Sequence, residues 1–421
     1  MGRHDGSRCL RLFRATVLLV AGFAGVSTRA PASPLVVTPS AYLSEQYNDN
    51  VFFTDQHMDD FITSVGTSLS MQYQRPRFTA SLSGGTSAQF YAFNTSESSA
   101  AKSQSGTLSA AYQASPLLAL TLSDNVSHYG STRTASVSQT NEAPPPAAEP
   151  PVPPTQASVF LFPSGDVFTN YFTTGASYAF YPRWSAAANY SNSVDDFTGA
   201  GGHNLTNSAS GTLGYAWSPI LNLNVSYSYS RLNASQFVDT ETHNPSVGMS
   251  YRYDPTLSLY GSVGYYVNRP VGGSSDSMGS DSISTSSGAT FNLGLSKQFA
   301  RSSASLGASQ GVTPSPGFGG TSLTRTAFLS YVVRLSQHLS GSVGTFYSDY
   351  DTNQTNYRGV GAYGSLTFSY PLSRYFSAGA SYNINYLFSD QSTSTLSQGS
   401  VYQNVVQVFI SGSYPLWRGD L

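Results

Sequence analysis

The sequence predicts an all-β protein: an antiparallel, up-and-down transmembrane β-barrel of about 18 strands (16–18), preceded by a cleaved signal peptide. Three observations predict it. Only 10% of the 421 residues are charged, against roughly 25% in a soluble domain, while 13% are aromatic. From residue 40 onward, apolar and small polar side chains alternate with period 2. Tight-turn signals punctuate that alternation about every 35 to 45 residues, which is the length of two strands and a loop. The same composition excludes disorder, because disordered chains are rich in charge and poor in aromatics. Past the N-terminus no apolar run approaches the ~20 residues of a spanning helix.

Residues 1–32 read as the export signal. Arg3, Arg8, Arg11 and Arg14 precede an apolar stretch, Ala15 to Val26, and Ala30-Pro31-Ala32 offers small residues for cleavage. The single cysteine, Cys9, lies before the apolar stretch, so it is not a lipid-anchoring cysteine, and the mature chain has no disulfide or thiol chemistry. Cleavage removes five arginines and one aspartate, leaving 15 basic and 21 acidic residues, a net charge of −6. That balance gives no footprint for nucleic acid.

Residues 33–421 form the barrel. Leu221, Leu223, Val225, Tyr227 and Tyr229 alternate with Asn222, Asn224, Ser226, Ser228 and Ser230; Phe376 to Phe388 and Val360 to Tyr370 behave likewise. Successive strand residues point to opposite faces, so each segment has one apolar and one small polar face. A soluble sandwich would put Lys and Glu on its wet face, and here that face is nearly uncharged. Expected strand lengths are about 10 to 16 residues, sufficient to cross at a tilt.

Eight tight turns are expected, at Arg75-Pro76-Arg77, Ser115-Pro116, Tyr181-Pro182-Arg183, Ser218-Pro219, Asp254-Pro255, Ala300-Arg301, Gln337-His338 and Tyr370 to Arg374. Proline presets turn geometry and is excluded from central strands. Nine longer polar loops alternate with them; the third, residues 131–165, carries the proline-rich insert Ala143 to Thr155, a semi-rigid spacer that either narrows the pore or projects outward. Charge is sorted between the two ends. The tight-turn end holds Arg75, Arg77, Arg183, Arg252, Lys297, Arg301, Arg334 and Arg374 against Asp254 alone, whereas acids dominate the long-loop end. Aromatics such as Tyr73, Phe180, Trp184, Tyr215, Trp217, Phe299 and Tyr370 gather beside the tight turns as an interfacial girdle.

Pro39 to Phe53 (PSAYLSEQYNDNVFF) and Asp60 to Gly84, with Tyr47-Asn48-Asp49-Asn50-Val51-Phe52 and the Arg-Pro-Arg turn as the most specific pieces, resemble the β-barrel porins of bacterial outer membranes, some of which accompany exopolysaccharide systems. The resemblance is strongest over residues 36–130 and implies an integral outer-membrane location and a pore; the even strand count puts both termini on one side, the periplasmic side of the tight turns. The chain departs from that family at the C-terminus: the last strand, Val401 to Tyr414, runs on to Leu421 rather than ending in an aromatic, with Trp417 four residues early. The expected function is passive, weakly selective diffusion of small hydrophilic solutes. The alternative is a structural or export role in exopolysaccharide or cell-surface assembly. Expected partners are outer-membrane lipid, lipopolysaccharide, the barrel assembly machinery and the solutes themselves.

No catalytic constellation or cofactor site is expected. His57, His128, His203 and His243 fall near the outer rim and His338 in a tight turn, without the spacing of a metal or nucleophile site. Asp49, Asp59 and Asp60 are weak rim candidates for a hard divalent cation. By parity the pore lining is Ser, Thr, Asn, Gln and Gly, with Tyr260, Tyr266, Phe346 and Tyr363 among them; Arg334, and Glu45 or Asp49, are the expected inward charges. Arg418-Gly419-Asp420 is a chance tripeptide on the periplasmic side.

Overall fold

A computed structural model of the chain describes residues 35–52, 57–95, 99–131, 135–138, 158–161, 165–197, 202–235, 238–271, 285–314, 321–351, 356–389, 399–414 and 417–418. The export signal and the insert Ala143 to Thr155 lie outside the described residues. In chain order the strands are β1 (Leu35–Asn48), β2 (Asp60–Arg75), β3 (Phe78–Tyr91), β4 (Ser99–Ser115), β5 (Leu118–Ser131), β6 (Ala135–Ser138) and β7 (Ser158–Leu161). They continue with β8 (Gly165–Tyr181), β9 (Trp184–Phe197), β10 (Gly202–Ser218), β11 (Leu221–Ala234), β12 (Asp239–Asp254), β13 (Leu257–Val271) and β14 (Ser286–Gln298). The last are β15 (Ser302–Pro314), β16 (Thr321–Arg334), β17 (Leu339–Asp351), β18 (Asn356–Pro371), β19 (Phe376–Ser389), β20 (Gly399–Ser413) and β21 (Trp417–Arg418).

Eighteen long strands, all but β6, β7 and β21, pair antiparallel with their neighbours, and β20 returns to β1 to close an 18-strand barrel. Closure leaves no open edge, which a structure in hydrocarbon requires. β21 extends the last strand along β1, with Trp417 opposite Val37 and Arg418 opposite Val36. Leu35 of β1 pairs with Tyr73, beside the first tight turn, so both described ends of the chain lie at the tight-turn end.

All eight tight turns stand where the proline and polar signals place them. Their geometry has a local cause. The side-chain oxygen of the residue entering the turn accepts the backbone N–H two and three residues on: Ser115 from Leu117 and Leu118, Ser218 from Ile220 and Leu221, Asp254 from Thr256 and Leu257, and Ser373 from Tyr375 and Phe376. Such side-chain caps reproduce a backbone turn. Asp254 sits beyond the apolar belt; the hydroxyl and amide of Thr256, then Lys297, hold its carboxyl at about 2. A lowered folded value stabilises above the unfolded value, ~3.9, and that contribution is lost as pH falls toward the folded one. Pepsin cutting at residues 252–258 should therefore rise between pH 4 and 2 more steeply in the wild type than in Asp254→Asn; parallel profiles would contradict this role.

The protein is apolar on the outside. Ten hydrophobic side chains are buried among the described residues, whereas Val225 (58% exposed), Val263, Leu306, Val343 and Val408 stand on the outer face with dozens of others. In register these residues share one face around the whole barrel, and an apolar surface of that extent calls for lipid. At its lower margin the rings of Tyr178, Phe180, Trp184, Tyr215 and Trp217 form a chain of neighbours 4.7–6.4 Å apart.

One carboxylate interrupts the belt. Asp124 faces outward between Leu122 and Val126, in register with Leu108 and Phe172, and accepts a 2.7 Å hydrogen bond from Asn170. A charge on the lipid face costs free energy that depends on depth, less for Asp than for Arg or Lys. Asp124→Leu should raise stability by roughly 1 kcal/mol in urea unfolding from liposomes; a less stable variant would show that the Asn170 contact outweighs the lipid penalty.

The eighteen long strands run from 13 to 17 residues, against the 10 to 16 expected. The additional length lies at the long-loop end, where three of the nine expected loops shrink to residues 198–201, 235–238 and 352–355.

Candidate functional site: the lumen and its mouth

The inward face is built from hydroxyls. Ser81–Ser109, Ser127–Thr169, Ser226–Ser246, Ser309–Thr326, Ser342–Ser365 and Ser377–Ser411 are register partners, and in each pair the two side-chain oxygens hydrogen-bond at 2.6–2.8 Å. Hydroxyl pairs across strands satisfy one another while leaving lone pairs for water.

The wall from β13 to β18 differs. There an inward aromatic stands directly opposite an inward glycine on the next strand: Tyr260 with Gly294, Tyr266 with Gly288, Phe328 with Gly307, Tyr363 with Gly344 and Phe346 with Gly361. A Cβ on Gly294, Gly307, Gly344 or Gly361 would collide with its partner ring, so the ring lies flat where the glycine makes room. Tyr266 and Phe346 are buried, at 6% and 2% exposure, whereas Tyr260 and Tyr363 are half-buried. Arg334 pairs with Ser340 on the inward face at the tight-turn mouth, and Arg252, not anticipated from the sequence, pairs with Ser258 on the same face.

Glu45 does not point inward. It pairs with Thr63 and Val408 on the outer face and accepts a 2.6 Å bond from the Thr63 hydroxyl. Alternation is ambiguous there because Ser44 and Glu45 are both polar. Of the charged strand residues with described side chains, four are inward, all near the ends of the lumen: Asp60, Asp195, Arg252 and Arg334. The rest face outward, and most form a collar above the belt in which Arg231 pairs with Glu241 at 3.6 Å and Arg325 with Asp349 at 2.9 Å.

The mouth is crossed by part of the third long connection. β6 and β7 form a small hairpin between β5 and β8, yet β7 lies against β17, half the circumference away. Phe346 and Ser348 of β17 are both buried on the inward face at that wall.

The rim carboxylates are occupied by protein. Asp49, one residue past β1, accepts the backbone N–H and the side-chain amide of Asn404, both at 2.6 Å. Asn50 is fully buried, donates to the Tyr402 carbonyl at 3.0 Å and accepts from Gln403 at 2.7 Å. The Asn48-Asp49-Asn50 segment thus fastens the seam between first and last strands. Asp60, also fully buried, accepts from the backbone N–H groups of Ala92, Phe93 and Asn94 and from the Asn94 amide. Burial pushes its carboxyl up, but these four bonds outweigh it and hold it below the usual range. Asp59 is exposed and bonds the Tyr47 hydroxyl. Among the described residues no cluster of three or more His, Cys, Asp or Glu is placed to hold a metal ion.

The histidines are dispersed. His57, at φ 38°, lies tilted against Tyr402 with ring centroids 4.3 Å apart, His243 bonds the Tyr227 hydroxyl at 2.7 Å, and His338 lies 5.1 Å from the Tyr370 ring. His128 and His203 are register partners of Gln104 and Asp196 on the outer face.

No protein-family model and no curated protein matches this chain. Several solved structures are similar to the chain, among them the outer membrane protein OpdK of Pseudomonas aeruginosa, 11% identical at a TM-score of 0.45 with 90% of this chain and 99% of that one covered. OccAB4 of Acinetobacter baumannii is 13% identical, with 91% of this chain and 99% of that one covered at a TM-score of 0.48. OccAB1 of the same organism is 11% identical, with 93% and 100% covered at 0.48. OpdL of Pseudomonas aeruginosa is 12% identical, with 91% and 99% covered at 0.47. The 18-strand closed barrel of this chain agrees with the strand count that the turns and loops of the sequence predict.

Proposed function

We propose that the protein is a passive diffusion channel of a bacterial outer membrane, carrying small hydrophilic solutes through a hydrated lumen. One observation carries this reading: a closed barrel whose outer face is an apolar belt and whose inner face is lined mainly by small polar side chains, with hydroxyls paired across strands. The first face requires lipid and the second requires water. The tight turns and both chain ends face the periplasm, and the collar of outward charges meets lipopolysaccharide. Trp417, seated on β1 in the final strand, serves as the aromatic that the assembly machinery reads.

Tyr260, Tyr363 and Arg334 line the passage, whereas Tyr266 and Phe346 are buried in the wall. A hairpin crossing the mouth suits small solutes better than a polymer in transit, which favours diffusion over polysaccharide export. The test is single-channel conductance of residues 33–421 refolded into a planar bilayer. Stable steps of porin size are expected, and a folded, heat-modifiable barrel without conductance would overturn the channel reading.

A further inference from the structure

Resting on that channel reading, we infer that the lumen is selective by neutrality: it passes uncharged polyhydroxylated solutes ahead of ions of equal size and barely distinguishes cations from anions. Channels impose charge selectivity with rings of ionised side chains along the path. Here each strand contributes inward Ser, Thr, Asn, Gln or Gly between the two mouths, and the four inward charges with described side chains divide into Asp60 and Asp195 at one end and Arg252 and Arg334 at the other. Asp60 is itself fully buried and saturated by four hydrogen bonds, so its charge is spent on the wall.

The placement is systematic. Arg231, Glu241, Arg269, Arg325, Asp349 and Arg358 lie on the same strands, one residue from an inward position, and all turn outward. The chain therefore carries strand charge and keeps it out of the lumen. An ion entering must surrender part of its hydration and, among the described strand residues, meets no inward ionised side chain between the two mouths, whereas a polyol exchanges water for hydroxyl partners at little cost. Two inward rings present their surface to the passage: Tyr42, 41% exposed and lying over Gly66, and Tyr171, 49% exposed. A sugar ring has apolar C–H faces that such rings can cover.

The experiment compares efflux of three six-carbon solutes from proteoliposomes, mannitol (neutral), gluconate (anionic) and protonated glucosamine (cationic), together with the reversal potential in a KCl gradient. Mannitol should leave several-fold faster than either ion, with a reversal potential near zero. Thr212→Asp with Ser226→Asp, register partners on the inward face, should shift that potential strongly toward cations and shows that the measurement resolves a lumenal charge. Porin-sized steps with strong selectivity in the unaltered protein, or ions crossing as fast as mannitol, would overturn this inference and leave the channel reading standing. Absence of any conductance would overturn both.

Discussion

Excising residues 135–161 should raise single-channel conductance severalfold and flatten its current noise. The segment contains β6 and β7, and β7 reaches from the β5–β8 connection to β17 on the far wall. An 18-strand barrel is too wide for wall side chains to fill, so a segment crossing its mouth sets the narrowest cross-section. The excision is structurally mild. Ser131 and Gly165 are register partners, and the six residues left between them suffice to link neighbouring antiparallel strands. Conductance unchanged in a folded variant would mean that the hairpin does not obstruct the path.

The second large effect is expected at the seam. Asp49→Ala leaves the Asn404 backbone N–H and side-chain amide without their acceptor, at roughly 1.5–3 kcal/mol for each bond to a charged group. Asn50→Ala additionally strips the Tyr402 carbonyl of a buried donor. The double variant should lose its heat-resistant electrophoretic mobility at a markedly lower temperature than the wild type, by more than either single change. Asp59→Ala, at an exposed residue beside the same segment, should have little effect. Melting of the double variant equal to that of Asp59→Ala would show that strand pairing alone closes the barrel.

These two features also mark where sequence reasoning stopped. The tight turns were legible because their causes are local: a proline, or a Ser or Asp whose side chain caps amides two or three residues away. The outer face was legible because lipid demands an apolar residue at each second position. Above the belt both faces are wet, and the alternation that separates strand from loop disappears. Asp195, Asp196 and Glu241, at the long-loop end, therefore belong to β9 and β12 without any alternation to mark them as strand. For the same reason Glu45 was assigned to the wrong face. The tasks of Asp49 and Asn50 depend on partners more than 350 residues away, and the approach of β7 to β17 also joins segments distant in sequence. The glycine–aromatic pairs on the inward face were visible as residues, but pairing Tyr363 with Gly344 requires the register.

The outward collar has a consequence for the bilayer itself. On β11 the lipid-facing run from Leu221 ends at Arg231, and on β16 the run from Val333 ends at Arg325. About ten tilted residues between aromatic margin and collar correspond to a hydrocarbon height near 25 Å. In a thicker membrane the paired arginines and carboxylates would be drawn into acyl chains, and the lipid would have to thin around the barrel at fractions of a kcal/mol per Å of mismatch. The collar thus acts as a depth gauge, and the protein carries in its own wall a preference for the thin bilayer of an outer membrane over thicker ones.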